Sequence, residues 1–239
     1  MAAFVFTNPK LWLAGYELEG VLSTLALDYG AELKDSTVFG DTTRIRKGGL
    51  KTVAGQLEGF YDATTIDAAL FSRIGAANVP VTCAPDGAGA EGERAFALLA
   101  ALGEYRIGGE LGEMSKLSLP LDSGGPLVKG TIVHNAARTA TGNGTAFQLG
   151  AVSATQKLYA ALHVVAAAGT TPTLDVSVQS DNAQGFASPA AQITFTQATA
   201  IASEWKELAG AVADDWWRVS FTVGGASPSF TFAVFLGIL

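Results

Sequence analysis

Apolar and polar residues alternate with a period of two in segment after segment of this chain, and a pattern of that period buries its apolar side as β-sheet. The alternation is cleanest in the C-terminal half. There, Leu174, Val176 and Val178 alternate with Asp175, Ser177 and Gln179 over residues 173–180, and Trp217, Val219, Phe221 and Val223 alternate with Arg218, Ser220 and Thr222. Phe230, Phe232, Val234 and Leu236 mark a last strand, and residues 157–166 and 192–196 two more. Residues 167–172 have the length of a hairpin loop, and Gly224-Gly225-Ala226-Ser227-Pro228 reads as a turn. Upstream, residues 22–29, 51–61, 80–84, 116–121 and 128–133 also read as strands, and Gly55 and Gly59 predict a bulge or a close crossing of backbones. Residues 4–13, broken by Asn8-Pro9, read as an arm or edge element. Residues 95–102 fit a short helix or a buried strand, and 203–210 a helical turn or a loop.

The period changes once, at Ala63. Ile66, Leu70 and Ile74 then fall four apart, with Ala69 and Phe71 on their flanks and Asp67 in the first turn. With Thr64 as N-cap and Gly75 as the residue after the C-cap, this predicts a short α-helix over 64–75. The expected fold class is therefore mainly β: an antiparallel β-sandwich or barrel with a short flanking α-helix, plus a second β-rich region. Gly124-Gly125-Pro126 opens a stretch of breakers running to Gly150, so domains of 1–150 and 151–239 are expected.

Charge narrows the function classes. Charged residues are 15% of the chain, against about 25% in typical domains, which suggests that much of the surface is covered by other subunits. The net charge is −7, and neither half offers the basic surface that tight phosphate-backbone binding needs. Cys83 is the one cysteine, which excludes an internal disulfide and suits a reducing compartment. With only His134 and His163 beside it, a zinc cluster has no ligand set, and no cofactor is expected. Neither histidine stands in triad spacing, and both read as core residues, so an enzyme is not expected. The opening MAAFVFTNPKLWLAG has no basic residue ahead of its apolar run, and no apolar run reaches 18 residues; neither a signal peptide nor a spanning helix is expected.

Two stretches carry candidate sites. Residues 30–49 form a polar interval longer than most connections, holding Lys34, Asp35, Asp41, Arg44, Arg46 and Lys47. Such a loop is a contact arm in an assembly, its charges pairing with a neighbouring subunit. Trp216 and Trp217 follow Asp214-Asp215 and could stack on an apolar sugar face, although a strand here turns one of the two rings inward.

Residues 20–61 and 85–135 resemble the major tail tube proteins of long-tailed bacteriophages and related phage-like particles. The matching words are VLSTLALDYGAELKDSTVFGDTTRIRKGGLKTVAGQLEGFYD, PDGAGAEGERAFALLAALGEYRIGGELGEM and SGGPLVKGTIVHNA. The resemblance implies a β core with a flanking helix, neighbouring subunits whose sheets join around a β-lined channel, and a loop reaching the next ring. Residues 22–29 and 51–61 would be channel strands, 66–74 the outer helix and 30–49 the inter-ring loop, with Asp28, Glu32 and Glu58 facing the lumen. Implied partners are copies of the chain in hexameric or trimeric pseudo-hexameric rings, other tail proteins at the tube ends and transient double-stranded DNA, with no membrane. The location would be the virion tail, after assembly in the host cytoplasm. The chain exceeds one tube domain, so 151–239 would be an added β-sandwich-like domain or a second tube-like unit. The alternative is a carbohydrate-binding β-sandwich of a phage adhesion or capsid-decoration protein.

Overall fold

The computed structural model describes residues 9–64, 67, 70–85 and 87–239. Strands among them are β1 (Lys10–Leu13), β2 (Tyr16–Glu17), β3 (Leu22–Asp35), β4 (Arg46–Phe60), β5 (Val79–Ala84), β6 (Arg94–Ala101), β7 (Arg106–Gly108) and β8 (Lys116–Ser123). They continue with β9 (Val128–Arg138), β10 (Gly142–Asn143), β11 (Phe147–Gln148), β12 (Lys157–Asp181), β13 (Ala190–Thr194), β14 (Ala202–Ala209) and β15 (Trp216–Ile238). Contacts divide the chain into a larger unit, of residues up to 19 with 79–98 and 128–239, and a smaller unit of 20–78 and 99–127. The expected boundary at residue 150 falls inside the larger unit.

The larger unit is framed by β12 and β15, which pair antiparallel from Leu158↔Ile238 to Asp181↔Trp216. Their register shifts three times between Val164 and Thr173. Gly169 and Gly225 both have positive φ there, and Pro172 has no N–H to donate. The stretches expected as a hairpin loop (167–172) and a turn (224–228) are instead corners within two continuous strands. They lie opposite one another, so bulged pairing carries both strands through. Beyond the corners the halves of each strand share one core: Leu158, Leu162, Phe232 and Val234 cluster with Val176, Val178, Trp217 and Val219. The reverse side of the first half of β12 and of the second half of β15, which pair with each other, carries Tyr159, Ala161 and Phe235, which pack with Trp12, Ala97 and Ile132. Residues 158–164 are therefore buried on both faces, and their alternation disappears. Strand order is β13-β12-β15-β9-β6-β5-β1-β2, an open path. Residues 94–101 are a strand, the second of the two alternatives for that segment, and 202–209 are also a strand, which corrects the helical turn or loop expected there.

In the smaller unit β4 lies between β3 and β8. Leu57 sits opposite Leu25 and Leu119, and Gly55 opposite Leu27 and Leu121. Val53, Leu57, Leu117, Leu119 and Leu121 bury one face. β7 and the end of β6 pair with the far side of β8, whereas among the described residues β3 pairs with β4 alone. The sheet is open, and the barrel alternative is corrected accordingly.

Gly59 marks the close crossing that the sequence predicts. A Cβ there would lie 2.1 Å from Val21 O and 2.8 Å from Leu22 Cα, beside a bulge in β3 between Leu22 and Thr24. Backbone cannot yield as a side chain can, so Gly59→Ala is expected to destabilise by about 3 kcal/mol, lowering the melting temperature by roughly 6–12 °C. Gly55→Ala, whose nearest contacts are 3.2–3.3 Å, should cost less.

The flanking α-helix is also corrected. Ile66 and Ala69 lie outside the described residues. Of the rest, Asp67 and Leu70 are helical and Phe71–Arg73 form a single 3-10 turn, after which Ile74 is extended. Among the described residues of the four-residue spacing and its flanks, Leu70 is buried while Phe71 and Ile74 are exposed. Thr64 donates to Asp62 through both its N–H (2.7 Å) and its hydroxyl (2.6 Å). Gly75, at φ +90, donates its N–H to Leu102 O at 2.7 Å and ends the turn.

Candidate functional site

From Asp28 to Thr52 every residue except Ser36 is exposed. The polar interval expected as a loop over 30–49 is mostly ribbon: β3 runs to Asp35, β4 starts at Arg46, and only 36–45 form the tip. Side chains on alternate residues of β3 share a face. Leu25 and Leu27, half-buried over the core, therefore continue as Tyr29, Ala31 and Leu33, all exposed. Leu33 is 60% and Leu50 80% exposed, and at the tip Val38 and Phe39 stand clear of the chain, Phe39 fully accessible. Lys51 Nζ lies 5.8 Å from the Tyr29 ring centroid, a cation–π contact along the same row.

The tip holds its own shape. Ser36 N–H donates to Ile45 O (2.9 Å), Val38 N–H to Asp41 Oδ2 (2.9 Å), Thr37 N–H to Asp35 Oδ1 (2.9 Å) and Ile45 N–H to Thr37 Oγ1 (3.0 Å). The Thr37 donors hold the Asp35 carboxyl below its ordinary pKa. Of the predicted contact residues, Asp41 and Arg44 are on the tip, while Asp35 opposes Arg46 and Lys34 opposes Lys47 across the ribbon. Lys34 pairs with Glu32. Asp35 and Asp41 thus accept hydrogen bonds within the hairpin, and Arg44 and Lys47 are exposed.

Asp28, Glu32 and Glu58 come onto one side. Thr24 opposes Glu58 and Asp28 opposes Ala54, so the two acids share the solvent-facing side of β3 and β4, away from the buried leucines. Glu32 has the same parity along β3, beside the bulge that follows Ala31. Gln56 donates to Ser118 Oγ at 2.8 Å on this polar face. Val38, Phe39 and Leu50 were not singled out by the sequence reading; the signal available was an apolar pair inside a charged interval.

The tryptophan pair is not a platform. Trp217 is fully buried, its Nε1–H donating to Gly150 O at 2.8 Å, and Trp216 is half-buried on the opposite face of β15. Strand alternation separates the two rings. Trp217→Ala should cost about 3–5 kcal/mol in urea unfolding, as loss of a core aromatic does.

Both histidines are core residues. His163 Nε2 is 2.9 Å from Thr82 Oγ1, while Nδ1 has no hydrogen-bond partner among the described residues. Burial pushes its pKa down to about 3. His134 Nε2 accepts from Arg138 Nε at 3.3 Å, so the neutral ring carries its proton on Nδ1, 2.9 Å from Glu91 Oε1. Burial lowers its pKa to about 4, with Arg138 adding to that and Glu91 opposing it. No group of three or more His, Cys, Asp or Glu side chains is placed to hold a metal ion among the described residues.

Neither a protein-family model nor a curated protein matches the chain. Among solved structures, it is similar to a chain of the virion of a native gene transfer agent particle, at 15% identity and TM-score 0.39, over 49% of this chain and 92% of that one. It is similar to the SPP1 tail tube protein at 12% identity and TM-score 0.45, over 54% and 80% of the respective chains. Similarity to the SPP1 Dit protein, described as a hub adsorption apparatus in phages infecting Gram-positive bacteria, extends over 97% and 99% at 12% identity and TM-score 0.38.

Proposed function

We propose that this chain is a structural subunit of a phage tail tube, not an enzyme: copies join into rings, rings stack, and the stack surrounds a channel for DNA. The observation that supports this is the two-sided exposure of the β3–β4 ribbon. A two-stranded ribbon standing alone in water is marginally stable. This one carries an apolar row continuous with its own core face, and a row of that kind is built to be covered by another subunit. Among the described residues the outer edge of β3 is long and unpaired, and pairing it with a neighbouring copy removes an edge that would otherwise aggregate. Asp28, Glu32 and Glu58, on the opposite side, would line the channel; carboxylates repel phosphate, so duplex DNA slides past instead of adhering.

The contacting copies form hexameric rings or trimeric pseudo-hexameric ones, with other tail proteins at the tube ends. Residues 151–239, which lie within the larger unit, are an added β-sandwich-like domain or a second tube-like unit. The protein assembles in the host cytoplasm and resides in the virion tail. Negative-stain microscopy of the purified protein tests the reading. Hollow tubes of uniform width are expected, with mass per ring giving the copy number; discrete particles that bind glycans would favour the adhesion alternative and defeat this one.

A further inference from the structure

The smaller unit has a second exposed hairpin end, the turn of residues 109–115 between β7 and β8. Glu113 N–H donates to Glu110 O at 3.0 Å around Gly112, whose φ is +93, and this turn holds Leu111 and Met114 out in solvent. Ile107 on β7 is exposed beside it. The register of β4 on β8 fixes where the turn lies relative to the 36–45 tip. Phe60 opposes Lys116 and Ala54 opposes Asp122, so the 109–115 turn is at the Phe60 end of β4 and the tip is at the Arg46 end. At roughly 3.3 Å per residue, about 45 Å of strand separates these opposite ends of one sheet.

The two ends also differ in sign. The turn carries Glu110 and Glu113 and no base within 109–115. Nearby, Arg106 is held by Glu104 at 2.7 Å, and Lys116 stands at the start of β8. The tip and the ribbon beside it carry Arg44, Arg46 and Lys47 against two acids, Asp35 and Asp41, which accept from N–H groups of the hairpin.

We infer that the 109–115 turn is the seat for the 36–45 tip of a second copy of this chain, Val38 and Phe39 meeting Leu111 and Met114 while Arg44 and Lys47 meet Glu110 and Glu113. Tip against tip and turn against turn both oppose like charges, so only head-to-tail addition is favoured. A heterologous contact between opposite ends of one sheet propagates as a filament. The inference rests on the tube reading for what the contact builds, and it names the surface that receives the tip.

Charge reversal with rescue tests it on the full chain, followed by sedimentation of the assembled fraction. All four positions are exposed, and Lys47→Glu places an acid opposite Lys34, so the variants should melt as the parent does. Arg44→Glu with Lys47→Glu is expected to weaken assembly roughly tenfold or more, and so is Glu110→Lys with Glu113→Lys. The chain with all four reversals should recover most of the loss, because both surfaces have exchanged sign. Each loss should shrink at high salt, where screening is strong. Tubes that ignore the Glu110 and Glu113 reversal, or losses that add in the fourfold variant, would overturn this docking and leave the tube reading standing. A parent chain that never assembles would end both.

Discussion

Replacing residues 36–45 by an Asn-Gly turn is expected to abolish ring stacking while leaving the monomer's melting temperature within a few degrees of the parent's. The main-chain hydrogen bonds of the tip run within the hairpin, from Ser36, Thr37, Val38 and Ile45 to partners in 35–45. Removing it therefore takes nothing from the buried face of Val53, Leu57, Leu119 and Leu121. Asp35 and Arg46 already oppose one another, and a two-residue turn of that type joins such a pair without splaying the strands. The shorter loop also closes at about 1 kcal/mol less entropic cost. Assembly loses far more. Burying a side chain the size of Phe39 is worth about 1.5–3 kcal/mol, Val38 adds to it, and the loss recurs at every copy in a ring. Sedimentation should show rings or smaller species with no tubes. A shortened chain that still builds tubes of parental length would remove the tip from the stacking contact.

Acid should destabilise the larger unit strongly. His163 and His134 have pKa values of about 3 and about 4 in the folded chain, both below the ordinary value of 6.5. Between those values and 6.5 the unfolded chain binds more protons than the folded one, so stability falls as pH is lowered through the window. Below about pH 4 the His134 contribution stops growing, and below about pH 3 that of His163 does. The cause is geometric. A His163 imidazolium would sit fully buried with the Thr82 hydroxyl on one nitrogen and no partner among the described residues on the other, stacked at 6.3 Å on Trp12. At 1.36 kcal/mol per pKa unit, lowering the pH from 7 to 4.5 should remove roughly 2–3 kcal/mol through each histidine. Against a typical total of about 5–15 kcal/mol that is a large loss. Urea unfolding at the two pH values measures it. His163→Gln keeps a hydrogen-bonding group but cannot titrate, and it should lose about half as much as the parent; equal losses would mean that His163 titrates freely.

The sheet content was legible because most strands bury one face, and Leu174-Val176-Val178 and Trp217-Val219-Phe221 show it directly. Where both faces are buried, at 158–164, a run of apolar residues marked a strand without showing that it continued. Glycine and proline at 167–172 and 224–228 are local signals and read as turns. That the two stretches oppose each other and keep pairing is a fact of tertiary register. The helix failed for a similar reason, because spacing placed Ile66, Leu70 and Ile74 on one face but cannot say that the chain has room to bury only Leu70 among those described. At the candidate site, the charges of 30–49 hid the Tyr29-Ala31-Leu33 row that extends β3. The relation between the tip and the 109–115 turn was invisible, since it depends on how β4 registers against β8.

The most direct measurement is a cryo-electron microscopy map of the purified protein's assembly at side-chain resolution. The account predicts a continuous β wall in which the outer edge of β3 is hydrogen-bonded to a neighbouring copy, Tyr29 and Leu33 are covered, and Asp28 and Glu58 face a central hole. A particle with no passage through it, or one in which the β3 edge and the Tyr29–Leu33 row remain bare to solvent, would contradict it.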